Sequence, residues 1–282
     1  MQSPAPVRLA SETLWQVLRQ DRTWIGIHAA EALLGQGEAA SVERFFSGAD
    51  GAAFPRVGRL RVLAQAAHER VRSSLAAQIE TIFLDPGSPD RKQAIESLAK
   101  LRLPLSPSAH AAARSLVEST PLKEAILPLW SLHYSGDEAA KAAIAHALGA
   151  DDPIARQRAG YALRWIGADE PAILQSLATA AARETRGTLP RVFLVSAALT
   201  LRAGPDSHLA WKQELVAHLH SGPTAAAYEA GLVLAPWLDA ADIDAIIPQL
   251  DHSDGDTRIA AALLILQFHS ALKPVAPSGS AP

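Results

Sequence analysis

Along the chain, apolar and small residues return every three to four positions in runs of about 12–15 residues, the spacing of one helix face. Polar turns separate the runs. Three segments align with one another: DRTWIGIHAAEALLGQGE (21–38), DDPIARQRAGYALRWIGADE (151–170) and SDGDTRIAAALLIL (253–266). Each opens on Asp and a turn, then enters a helix carrying adjacent small residues. Weaker copies start at 54, 88, 120, 187 and 222. Turns fall near 21, 51, 88, 120, 152, 187, 222 and 254, at intervals of 30 to 37 residues. Such a period suits a helical hairpin. Ser88-Pro89, Thr120-Pro121, Asp152-Pro153 and Gly222-Pro223 place a capping residue before a helix-opening proline. Gly35, Gly136, Gly149, Gly167 and Gly204 stand where helices should stop. No stretch alternates as a strand does.

The expected fold is therefore all-α: a right-handed α-solenoid of about eight stacked hairpins, each touching only its neighbours along an elongated arc. Residues 1–10 are expected to form an N-terminal arm, 11–272 the solenoid, and 273–282 (KPVAPSGSAP) a disordered tail. Composition fits. Of the 282 residues 49% are hydrophobic, and alanine, at 57 positions, lets helix axes approach closely. There is no cysteine, which excludes disulfides, thiolate metal sites and a cysteine nucleophile.

The Asp-x-x-x-Arg-x-x-Ala-Gly-x-Ala-Leu-x-x-Ile-Gly-x-x-Glu run at 152–170 resembles the HEAT-like repeat of the phycobilin-lyase type. The unit at 21–38 departs from it, with Gly26 where the arginine would stand. The resemblance implies second helices lining a concave face, used in most such arrays to bind a protein or peptide partner. It also leaves open a phycobilin-lyase-like tetrapyrrole carrier or lyase, and an alkylpurine DNA glycosylase-like DNA binder. Deoxyhypusine hydroxylase is similar in layout, but it carries several His-Glu pairs for its irons. Here only His68-Glu69 occurs. No metal or cofactor is expected.

Charge narrows the field further. The formal net charge is −3, and residues 142–282 hold 10 basic against 14 acidic side chains, which argues against a nucleic-acid stripe. Arg56, Arg59 and Arg61 cluster near one end and could anchor an acidic partner segment; in the DNA-binder reading they would act with Trp24 or Trp130 nearby in the stack. His28 and Glu31, three apart on one helix, could share a face, whereas His218 and His220 diverge. No phosphate-loop, dinucleotide, HExxH or GxSxG pattern is present. The expected function is a non-catalytic scaffold binding along its concave surface.

The helix at 257–272 is apolar all round, with Ile259, Leu263, Leu264, Ile265, Leu266 and Phe268 together pointing in nearly every direction. A helix of that kind is normally buried, so self-association or partner docking through this end is expected. No run reaches the length of a membrane span, and no signal-peptide pattern opens the chain, so a cytoplasmic location is expected. The lack of cysteine is equally compatible with an exported mature form.

Overall fold

A computed structural model describes residues 4–221 and 224–271. Among them are sixteen α-helices and no strand, so the chain is all-α. They come in pairs: α1 (Ala5–Gln20) with α2 (Trp24–Gly35), α3 (Ala39–Ser47) with α4 (Arg56–Ala66), α5 (Glu69–Leu84) with α6 (Arg91–Leu101), and α7 (Pro107–Ser119) with α8 (Leu122–Tyr134). Then follow α9 (Glu138–His146) with α10 (Pro153–Ile166), α11 (Pro171–Arg183) with α12 (Leu189–Leu201), α13 (His208–Ser221) with α14 (Thr224–Gly231), and α15 (Ala240–Ile246) with α16 (Gly255–Ala271). The first helix begins at Ala5, inside the stretch expected as an arm (1–10). The expected tail at 273–282 and the Gly222-Pro223 turn lie outside the described residues.

Each of the seven sequence-read turns that fall within the described residues precedes an even-numbered helix. The local chemistry explains why. Thr23 Oγ1 accepts from the Ile25 amide at 3.3 Å and Asp152 Oδ1 from the Ile154 amide at 2.8 Å, satisfying amides that a helix start leaves free. Pro153 opens α10 as expected, while Pro89 and Pro121 sit just outside α6 and α8.

Arginines tie successive turns together. Arg91 Nε donates to the Phe83 carbonyl at 2.9 Å, Arg156 Nη1 to the Ala150 and Asp151 carbonyls at 2.6 and 2.8 Å, and Arg191 to the Ala181 carbonyl. Each guanidinium thus serves carbonyls at or just beyond the end of the preceding odd helix. Arg156 is the arginine of the 152–170 pattern. In the first unit Gly26 replaces it, and a Cβ there would lie 2.1 Å from the Asp21 carbonyl oxygen, so no side chain fits.

Even-numbered helices pack on one another in order, from α2 against α4 through to α14 against α16. Small residues permit this: a Cβ added at Gly231 would sit 2.6 Å from Ala260 Cα, and Ala260, Ala261 and Ala262 are all buried. The series does not end there. Helix α16 also packs along α1 and against α2, joining the last pair to the first. The expected open arc, with contacts between adjacent hairpins alone, is corrected at this seam: the hairpins close into a ring.

Closure also accounts for the all-apolar helix. Leu263 and Leu264 are buried, and Phe268 is half-buried against the same core. They are covered by the chain's own helices, so the reason for expecting self-association through them disappears. No helix among the described residues is long and apolar enough to cross a membrane.

Candidate functional site

At the centre of the ring lies a cavity of about 710 Å³. Among the described residues its wall comes from every even-numbered helix except α8. Glu31, Glu96, Glu229 and Asp256 contribute carboxylates and Lys100 an ammonium. His28, Tyr161, Trp165, Phe193 and Tyr228 contribute rings.

Helical spacing aims these groups inward. His28 and Glu31 are one turn apart on α2, Glu96 and Lys100 on α6, and Tyr161 and Trp165 on α10, so each pair shares a face. The small residues beside them, Ala29-Ala30 and Ala159-Gly160, are buried between helices.

The polar side chains form a belt around the wall. At the seam, His28 Nδ1 lies 3.0 Å from Asp256 Oδ1, and its ring stacks on Tyr228 at 4.0 Å with the planes 10° apart. Arg61 Nε and Nη2 donate to the two oxygens of Glu31 at 2.7 and 3.0 Å, and its Nη1 reaches Ser97 Oγ on α6 at 3.2 Å. Glu96 pairs with Lys100 Nζ at 3.1 Å and accepts from the Tyr161 hydroxyl at 3.1 Å. From α10, Arg164 pairs with both oxygens of Glu229 on α14. Tyr228, next to Glu229, brings the belt back to His28. Lys100 Nζ also stands 5.6 Å from the centre of the Tyr161 ring and 5.8 Å from that of Trp165, and Arg164 covers the same two rings at 5.4 and 5.9 Å.

Electrostatics follow from burial and pairing. Burial pushes the Glu31 and Glu96 carboxyls up, but Arg61 and Lys100 outweigh it and hold both below the ordinary value. For Glu229 burial prevails over Arg164, and its carboxyl lies above the ordinary value. Burial, then the charge of Glu96 for Tyr161 and of Glu31 for Tyr228, pushes both phenols well above their usual range. They remain neutral hydroxyls at any physiological pH.

Four of the residues singled out from the sequence meet here. Glu31 and His28 line the cavity, Arg61 stands behind Glu31, and the Arg61 guanidinium lies 5.4 Å from the ring centre of half-buried Trp24. Their roles differ from the expected ones. The three arginines form no common patch, because Arg61 lies about 140° around α4 from Arg56. Arg56 is exposed, Arg59 half-buried and Arg61 only 2% exposed. Arg61 is committed to Glu31 and cannot also anchor an acidic partner.

Sequence reasoning missed Glu96, Lys100, Tyr161, Trp165, Phe193, Tyr228, Glu229 and Asp256. One signal was available. Glu31 and Tyr161 occupy the same place in the aligned units, just after the paired small residues, where a polar side chain interrupts a buried face.

The arrangement is suited to holding a ligand. Glu31 and Glu229 each have both oxygens met by an arginine, which fixes their position at the wall. His28 is oriented by Asp256 as an imidazole is in a catalytic dyad, but no hydroxyl among the described residues hydrogen-bonds to it. No cluster of three or more His, Asp or Glu placed to hold a metal ion occurs among the described residues. Compared with family models, curated proteins and solved structures, the chain gives no match.

Proposed function

We propose that the protein is a binding module built from HEAT-like hairpins, and that it recognises its ligand inside the ring instead of along an open groove. The observation that carries this reading is the cavity wall, where a continuous belt of charged and aromatic side chains from separate helices faces one space. Burying such groups costs stability unless they are fully paired, so a belt of this extent supports a role beyond packing. A folded partner does not fit in about 710 Å³. A protein or peptide partner would enter as one extended segment or a single side chain. The carboxylate-rich lining disfavours the other two readings, because DNA phosphates and the propionates of a tetrapyrrole are anionic.

The test is a thermal-shift screen of chemically diverse small molecules and short peptides on the wild-type chain and on Ala225→Trp and Ser270→Trp. Both positions are exposed at the cavity wall, so tryptophan fills space there without entering the core. Compounds that stabilise the wild type should lose their effect on the filled variants. Hits that act equally on all three proteins would place the ligand elsewhere and sink the proposal.

A further inference from the structure

We infer that the cavity takes a small organic cation, a primary ammonium or guanidinium carried on an apolar body, with Asp256 as its counter-ion. The inference rests on the cavity being the ligand site. Four carboxylates and one lysine face the space, while Arg61 and Arg164 stand behind the wall at 2% and 8% exposure. Of the four carboxylates, Glu31 is met by Arg61, Glu96 by Lys100 and Glu229 by Arg164. Asp256 is met by an imidazole alone. Its Oδ1 faces His28, and its Oδ2 has no hydrogen-bond partner among the described residues. Its side chain is 12% exposed, at the cavity wall. It sits in the first turn of α16, where the helix favours a negative charge. The lining therefore carries one carboxylate that no lysine or arginine of the chain meets, with room beside it for a cation.

The rings select the same chemistry. Tyr161 and Trp165 already hold the chain's own Lys100 and Arg164 over their faces, so the rings left to meet an ammonium or guanidinium are Tyr228 and Phe193. Tyr228, stacked on His28, lines the cavity, and Phe193 adds an apolar face. The upward shift of the Tyr228 phenol, set by burial and then by Glu31, is consistent with a negative field at that ring. An anionic ligand would meet uncompensated repulsion, and a neutral one would leave Asp256 met by an imidazole alone.

The test uses the full chain and isothermal calorimetry with four probes: phenethylamine, its neutral counterpart phenethyl alcohol, its anionic counterpart hydrocinnamate, and a blocked lysine peptide. The amine is expected to bind, with affinity falling as salt is raised, and the alcohol and the acid are not. The peptide arm separates a free amine from a partner's lysine side chain as the source of the cation. Asp256→Asn and, independently, Tyr228→Leu should each weaken the cation by about tenfold or more. Arg56→Ala, on the exposed outside of α4, should leave it unchanged. The melting temperature of each variant checks that the ring is folded. Equal or tighter binding of the alcohol or the acid, or cation binding untouched by both substitutions, overturns the inference. If such binding is still blocked by Ala225→Trp, the cavity reading survives and the cation fails. If no probe is blocked by the filled variant, both fail.

Discussion

Arg61 offers the sharpest test of the belt. It is 2% exposed and spends three donors on Glu31 and Ser97, at 2.7, 3.0 and 3.2 Å. Arg61→Met keeps much of the stem and removes the charge, leaving the Glu31 carboxylate without its main cation. Breaking a buried pair from one side costs about 3–5 kcal/mol. The Glu31 side chain is 17% exposed, so water relieves part of the loss and the expected cost is near the lower end, about 3 kcal/mol.

The dependence on pH has a definite sign. In the wild type the Glu31 carboxyl is held below 4.5, so its contribution is present above that value and is lost as pH falls through the folded value. Without Arg61, burial is opposed chiefly by Lys100 and the folded value rises, which reverses or cancels that contribution. The stability gap between wild type and Arg61→Met should therefore narrow between about pH 7 and about pH 4.5. Urea unfolding followed by far-ultraviolet circular dichroism measures it. Adding Glu31→Leu to Arg61→Met should recover most of the loss, with a coupling of about 2 kcal/mol in the double-mutant cycle. Strictly additive single losses, or a gap that widens in acid, would refute the reasoning.

Two further predictions concern the seam and the phenols. Leu264→Ala, at a fully buried position in α16, should cost about 2–5 kcal/mol without altering the sedimentation coefficient of the folded chain. A folded variant with a changed association state would return Leu264 to an intermolecular interface. Because the Tyr161 and Tyr228 phenols lie well above 10.0 in the folded chain, their contribution is present below that value and is lost as pH rises through the folded values. Melting temperature should fall steeply on the alkaline side and less steeply in Tyr161→Phe, and equal slopes would contradict the buried-phenol account.

The helices were legible in the sequence because their signals are local. Asp152 caps α10 from two residues away, and the spacing of turns follows directly from the chain. Closure was not legible. It arises from small angles summed over eight hairpins, and no single segment encodes it. The apolar α16 was read correctly as a helix needing cover, but the cover is the chain's own α1, more than 230 positions earlier in sequence. The belt was half legible for the same reason. His28 and Glu31 stood out as neighbours on one face, while their partners lie far off: His28 and Asp256 are 228 positions apart, and Arg164 and Glu229 are 65. Arg61 was noticed for its charge, but its direction around α4 decides its role, and a count of basic residues does not contain direction.

An array with two free ends tolerates the gain or loss of a repeat, since only the length changes. A chain whose α1 lies on α16 has no such freedom. Removing one hairpin would shrink the circumference, bring every facing side chain nearer its opposite number and leave the seam helices out of step. The dimensions of the central chamber are thus fixed by the number of hairpins. Selection on ligand size would act on repeat number as a whole, while selection on ligand chemistry could still proceed one wall residue at a time.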